Sequence, residues 1–283
     1  MKVNIYKEMK QFYDVHINIL IKEEWINNLM IKNISYGLEN NYDGWIFGNL
    51  LNNEKIDIIF LQRRPWKLLI YSLNNENLDN KLKFLAEEIY KVDNDLNGVN
   101  AETEISEKFS KFYCELSNKK FVEKMKLRIL VLTKVKSGEL NKNLNFRKAE
   151  LKDKTVLKKY IYDMIYEIYG KKKEDDEIES YFLKVMKSGF YIIENNGKIV
   201  SQGAVNANLI NGKSLGYVYT PKEERNKGYC YNLIYRLCEE LLKKDENKFI
   251  CLYTDDTNPI SNHIYEKVGF ERKMNCVEMD FLN

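Results

Sequence analysis

The stretch Val218-Tyr219-Thr220-Pro221-Lys222-Glu223-Glu224-Arg225-Asn226-Lys227-Gly228-Tyr229-Cys230 decides how this chain is read. It predicts a strand that stops at a proline, a short polar turn, and a helix opening on a basic, glycine-containing run. The first amides of a helix have no internal partner, and the helix dipole puts partial positive charge at the same place. Such a turn can therefore face a phosphate group. Gly228 lets a ligand approach the backbone, and Arg225 and Lys227 add charge beside it. Two familiar phosphate loops are excluded. The order Lys227-Gly228-Tyr229 lacks the Ser/Thr of a Walker loop, and a dinucleotide fingerprint needs three spaced glycines.

Working outward, Leu233, Ile234, Leu237, Cys238, Leu241 and Leu242 fall on one face of the helix behind the turn. Ile250 to Thr254 reads as a buried strand. Asn258-Pro259 then supplies a helix cap and a first-turn proline, and a short helix closes at Gly269 before Phe270.

Taken together, Arg225-Asn226-Lys227-Gly228-Tyr229-Cys230 resembles the Arg/Gln-x-x-Gly-x-Gly/Ala loop of the GNAT superfamily of N-acetyltransferases. Asn258-Pro259-Ile260-Ser261-Asn262, with Tyr265 and Gly269-Phe270, resembles the segment that follows it in that family. The departure is Cys230, where the family has glycine or alanine. Cysteine is small enough for the loop to survive. The resemblance covers about the last half of the chain.

Upstream, residues 1 to about 40 read as helical. Three strand-like runs follow: Trp45 to Leu51, Ile56 to Gln62 and Trp66 to Leu73. A helix through Leu78 to Tyr90, an extended piece at Gly98 to Ala101, a helix through Ile105 to Leu116 and a strand from Met125 to Val135 complete the first half. Polar residues Lys136 to Asn143 suggest a boundary, giving domains 1–140 and 141–283. The second half reads as a strand at Leu144 to Lys148, helices through Leu151 to Ile168 and Tyr181 to Met186, and a strand at Phe190 to Ile193. The Asn195-Asn196-Gly197 and Asn211-Gly212 turns then form hairpins that lead into the opening motif. The halves repeat an order of elements without repeating residues. The expected fold class is therefore α/β: two GNAT-like mixed-sheet domains in tandem, the C-terminal one with the acetyl-CoA-binding loop. At the loop's position the first half has Ser72-Leu73-Asn74-Asn75-Glu76-Asn77, without glycine or a basic residue, so it reads as degenerate.

Composition adds limits. The chain has 283 residues, 44% hydrophobic and 31% charged, and a net charge of +3 gives no footprint for nucleic acid or an acidic membrane. Five cysteines without a Cys-x-x-Cys pair suit reduced thiols and a cytoplasmic location. No apolar run is long enough to span a bilayer, and a signal-peptide core is not apparent. Two histidines, His16 and His263, cannot build a His-rich metal site, so no metal is expected. His263 reads as a solvent-facing helix residue.

The resemblance implies acetyl-CoA as cosubstrate. Its pyrophosphate would sit on Arg225, Asn226, Lys227, Gly228, Tyr229 and Cys230. Its pantetheine arm would run along Val218, Tyr219 and Thr220, where that strand should splay from Ile250 to Thr254. Tyr265 is the candidate catalytic acid for the departing thiolate. Asn258 reads as a helix cap that can also touch the cofactor. No general base is evident: the central-strand positions carry Asn206, Asn208, Tyr217 and Tyr219, while Asp255 and Asp256 could act through water or merely end the strand. The acidic run Glu174 to Glu177 could attract an amine or simply be solvated. The expected function is direct N-acetyl transfer to a small-molecule or peptide amine in a ternary complex. The alternative is a non-catalytic acyl-CoA-binding module. A homodimer is left open.

Overall fold

The computed structural model describes all 283 residues. In chain order the first ten elements are β1 (Lys2–Ile5), α1 (Met9–Leu20), α2 (Asn28–Glu39), β2 (Ile46–Asn52), β3 (Lys55–Gln62), β4 (Leu68–Ser72), α3 (Leu78–Val92), β5 (Gly98–Glu102), α4 (Thr103–Ser117) and β6 (Lys120–Leu132). The next ten are β7 (Asn145–Lys148), α5 (Lys154–Tyr169), α6 (Asp175–Ser188), β8 (Phe190–Asn195), β9 (Lys198–Asn208), β10 (Gly212–Tyr219), α7 (Tyr229–Leu242), β11 (Phe249–Asp255), α8 (Pro259–Val268) and β12 (Glu271–Leu282). The same succession of strand, two helices, three strands, helix, strand, helix and strand thus occurs twice, as the tandem reading expects.

The compact units do not follow the chain as two uninterrupted halves. The first comprises Met1–Ile129, Asp255–Thr257 and Lys273–Asn283; the second comprises Leu130–Thr254 and Asn258–Arg272. The final strand explains the difference from a simple division near residue 140. Cys276 to Asp280 pairs antiparallel with Glu102 to Gly98 of β5. Val277, Met279 and Phe281 then join the core that α3 and α4 build on that face.

In the first unit β1, β2, β3 and β4 are antiparallel neighbours, and β5 runs parallel to β4. One face is covered by α3 and α4 through Leu82, Leu85, Ile89, Ile105 and Phe109. The other is covered by α1 and α2 through Phe12, Leu20, Ile31 and Ile34. Helical spacing of these apolar residues puts them on one side of each helix. The expectation of continuous helix before residue 40 is corrected: Lys2–Ile5 is a strand, with Val3 opposite Leu50. Trp66 also lies outside β4 and is exposed.

The second unit repeats the plan. β7, β8, β9 and β10 pair antiparallel, and β11 lies parallel to β10. Leu157, Ile161, Phe182 and Val185 of α5 and α6 pack on one face. Leu233, Leu237, Cys238, Tyr265 and Val268 of α7 and α8 pack on the other. The β8–β9 hairpin turns on Asn196 and Gly197, both left-handed at φ 49 and 78. This is the geometry that an Asn-Gly turn is suited to make. All five cysteines are free.

Candidate active site

Strand β10 sets up the site by leaving its neighbour. It pairs with β11 over four positions, Gly212 with Phe249 through Leu215 with Leu252, and the ladder ends there. On its other edge β10 carries two irregularities, one between Ser214 and Leu215 and a bulge beyond Gly216. Gly216 faces Ala204 but Tyr219 faces Gln202, so three steps on β10 match two on β9. Tyr217, inside the bulge, is held at φ 55, a left-handed conformation that a bulky residue adopts only under tertiary constraint. A bulge bends a strand and increases its local twist. Beyond Leu215 no rung joins Val218 and Tyr219 to Tyr253 and Thr254, the stretch where the sequence reading expects the strands to splay.

Past Tyr219 the chain runs through Pro221 and a short 3-10 turn, Lys222–Glu224, into an exposed loop from Arg225 to Gly228. Asn226 and Gly228 are both left-handed, at φ 63 and 77. Helix α7 begins immediately after, so the amides of Tyr229, Cys230 and Tyr231 form its unpaired first turn. A Cβ built on Gly228 would meet nothing nearer than Asn232 Nδ2 at 3.9 Å, so the approach to the backbone is open. The loop is anchored from both sides. Asn232 Nδ2 donates to Gly228 O at 2.9 Å, and Tyr229 OH accepts from Asn195 Nδ2 at 2.9 Å.

The two loop cations are less free than sequence alone implied. Arg225 donates from Nε to Thr220 O at 3.0 Å and from Nη2 to Glu167 Oε2 at 2.6 Å. Lys227 Nζ reaches Glu224 Oε2 and Glu223 O, both at 2.9 Å. Backbone amides, then, are what this loop holds out to an anion. Glu167, on α5, also accepts from Tyr219 OH at 2.9 Å. Burial raises its carboxyl pKa, but the Arg225 and Tyr219 hydrogen bonds outweigh that and hold it below the usual value. Sequence reading missed Glu167, because an acidic residue late in an amphipathic helix gives no signal of a partner some fifty residues away.

Thr220 Oγ1 lies 2.9 Å from Ser201 Oγ. Cys230 is partly buried beside it. Burial pushes its thiol up to about 12 against a lowering hydrogen bond with Thr220, which disfavours the reactive thiolate.

Helix α8 is fixed by Asn258, whose Oδ1 accepts from Ser261 N at 3.1 Å, with Pro259 in the first turn. Two turns on, Tyr265 is buried and packs edge-on against Phe270 at 5.7 Å. Burial, then the proximity of Cys230 and Cys238, raises its hydroxyl far above the ordinary phenol value. Buried Tyr160 and Tyr219 hydrogen-bond to Ile199 O and Glu167. Tyr265 thus lies near Cys230 and Cys238 of α7, and its burial favours the neutral hydroxyl. His263 is exposed on the same helix. No group of three or more His, Cys, Asp or Glu side chains is arranged to hold a metal, and no helix is long and apolar enough to cross a membrane.

Residues 158–270 match the family model described as Acetyltransferase (GNAT) family. A GNAT-family acetyltransferase from Colwellia psychrerythraea superposes with a TM-score of 0.62 at 11% identity, covering 100% of both chains. A Drosophila protein superposes at 0.63 and 10% identity over 99% of this chain and 98% of its own. A GCN5-related N-acetyltransferase from Sphaerobacter thermophilus superposes at 0.55 and 11% identity over 88% of this chain and 85% of its own. At these identities the likeness is one of fold. No curated protein matches the sequence. Residues 158–270 thus match the GNAT acetyltransferase family, the chain shares the fold of GNAT acetyltransferases, and its order of elements occurs twice.

Proposed function

We propose that the chain is an acetyl-CoA-dependent N-acetyltransferase whose C-terminal GNAT copy works on an amine, small-molecule or peptide, by direct transfer. The observation that carries this is the end of the β10–β11 ladder at Leu215 and Leu252, next to a helix that starts on the left-handed Gly228. The gap takes the pantetheine arm along Val218, Tyr219 and Thr220, and the Arg225–Cys230 backbone takes the pyrophosphate. Asn258, by capping α8, keeps Tyr265 in place.

The chemistry follows from that arrangement. A neutral amine attacks the thioester carbonyl, a C–N bond forms, and a strand amide steadies the oxyanion. The C–S bond then breaks, and Tyr265, still protonated, donates a hydrogen bond that steadies the departing thiolate, which takes its proton from solvent. The amine proton leaves through solvent. No carboxylate on β9 or β10 replaces that route, and Glu167 is occupied by Arg225 and Tyr219.

The first copy is not a second coenzyme site in this reading. Its equivalent turn is filled from within: Lys81, at the start of α3, is 2% exposed, pairs with Asp57 at 2.6 Å and donates to Asn74 O at 2.9 Å. A pyrophosphate there would meet the Asp57 carboxylate.

The engaged state of Glu167 also favours a second reading, an acyl-CoA-binding module without turnover. Thiol release from acetyl-CoA with a panel of amines separates the two. Release with at least one acceptor supports the enzyme. Tight coenzyme binding with no release from any acceptor leaves only the binding module.

A further inference from the structure

Helix α7 buries a polar side chain in its first turns. Asn232 is 5% exposed. Asparagine is a poor helix former, and a buried amide persists where both of its ends are bonded. Both ends of this one are. Nδ2 donates to Gly228 O at 2.9 Å, and Oδ1 accepts from Asn141 N at 2.9 Å. These two partners fix the orientation of the amide, since turning it over would set oxygen against oxygen and N–H against N–H.

The Gly228 contact bears on the coenzyme loop. Gly228 is left-handed at φ 77, and its oxygen also accepts from Asn232 N at 3.1 Å. The Asn232 side chain thus adds a second bond to that oxygen. Gly228 C=O and Tyr229 N–H belong to one planar peptide unit and point in opposite directions. A bond that holds the oxygen toward α7 therefore aims the Tyr229 amide away from it, toward the place assigned to the pyrophosphate.

The Asn141 contact bears on the polar connection between β6 and β7. That stretch has no regular structure and is mostly exposed, yet it is fastened to the helices. Arg236 donates from Nη2 to Asn141 O at 2.8 Å and from Nη1 to Leu144 O at 3.3 Å. Gly138 lies so close to α7 that a Cβ there would fall 2.0 Å from the Tyr231 hydroxyl. Lys136 N donates to Val268 O at 2.9 Å. Asn232 joins this connection to the loop.

We propose that Asn232 is a positioning residue for the coenzyme: it aims the Tyr229 amide and, by taking the Asn141 N–H, couples the docking of residues 136–144 to coenzyme binding. This rests on the acetyl-CoA groove proposed above. The coupling is reciprocal. A docked connection favours the loop that binds, and bound coenzyme holds the connection down.

The test titrates coenzyme A into the whole chain by calorimetry and follows trypsin cleavage after Lys136 and Lys142, both exposed, with and without saturating coenzyme A. Asn232→Leu is similar in size and loses both side-chain bonds. It should weaken coenzyme A about fivefold, which is the worth of about one hydrogen bond. Saturating coenzyme A should slow cleavage in the unsubstituted chain and not in Asn232→Leu. A general loss of stability would not produce that difference, because bound coenzyme stabilises any folded chain that takes it. Asn141→Pro leaves Asn232 in place and removes only the donor side of the bridge. It lies in an exposed stretch, so it should fold even if Asn232→Leu does not, weaken coenzyme A about threefold and abolish the protection. Unchanged affinity in either variant, or protection that persists in either, would overturn the proposal and leave the groove standing. No heat from coenzyme A with the unsubstituted chain would overturn the acetyl-transfer reading and this proposal together.

Discussion

Leu215 and Leu252 form the last paired rung between β10 and β11. Up to that rung the two strands are ordinary parallel neighbours. Beyond it β10 is turned by the Tyr217 bulge and leads into the loop before α7. In the proposed function this irregular backbone sets both the opening for an extended arm and the direction from which the α7 amides are reached.

Tyr265→Phe should lower kcat by about 10²-fold while leaving the coenzyme Kd within about twofold, since a hydrogen bond to the departing thiolate acts in the transition state. The phenyl ring keeps the Phe270 packing. Steady-state thiol release beside calorimetry checks this. Unchanged kcat would remove Tyr265 from the chemistry.

Gly228→Ala tests the backbone role of the loop. Space exists for the methyl group, so the cost is conformational, about 1 kcal/mol for a non-glycine residue held left-handed. The methyl also projects into the open face where a pyrophosphate would rest. Coenzyme affinity should therefore fall by about tenfold, more than the stability change explains. Equal losses in both quantities would mean that the loop is merely strained.

Glu167→Gln should tighten coenzyme binding severalfold and make it more salt-dependent. The pair with Arg225 is largely solvent-screened and contributes only about 0–1 kcal/mol, so its loss costs little. Neutralising Glu167 frees the guanidinium to turn toward the phosphates. Titrations at low and high salt check it, and weaker binding by the variant would assign Glu167 a positioning role instead.

Much of this was legible in the sequence, for local reasons. The α7 face, the Asn196-Gly197 turn and the Asn258 cap are written in adjacent residues, and each is found as expected. What escaped depends on distant partners. β1 has four residues and no strong alternation. β12 alternates charged and apolar residues weakly and is stabilised by β5, more than 170 positions earlier. The Arg225–Glu167 pair, the Tyr217 bulge and the plugged turn at Lys81 are likewise tertiary facts. A basic residue in a sequence motif shows charge, not whether that charge is already answered.

Acid should loosen the second unit at its β7 edge. Arg147 bridges Asp153 at 2.7 Å and Glu194 at 2.5 Å, and both carboxyls are held below their ordinary values of 3.8 and 4.5, first by that guanidinium. Groups with depressed folded values stabilise fully above the unfolded values and lose that contribution as pH falls through the folded ones. Urea melts at pH 7 and near pH 3 should show Arg147→Met costing about 2 kcal/mol at the higher pH and much less at the lower. An equal cost at both would contradict the ion-pair origin.

The most direct measurement is a calorimetric titration of the intact chain with acetyl-CoA. One equivalent per chain is expected, with affinity about tenfold weaker in Gly228→Ala and unchanged in Lys81→Met if that variant folds. No heat at all, or two equivalents per chain, would contradict a single coenzyme groove between β10 and β11.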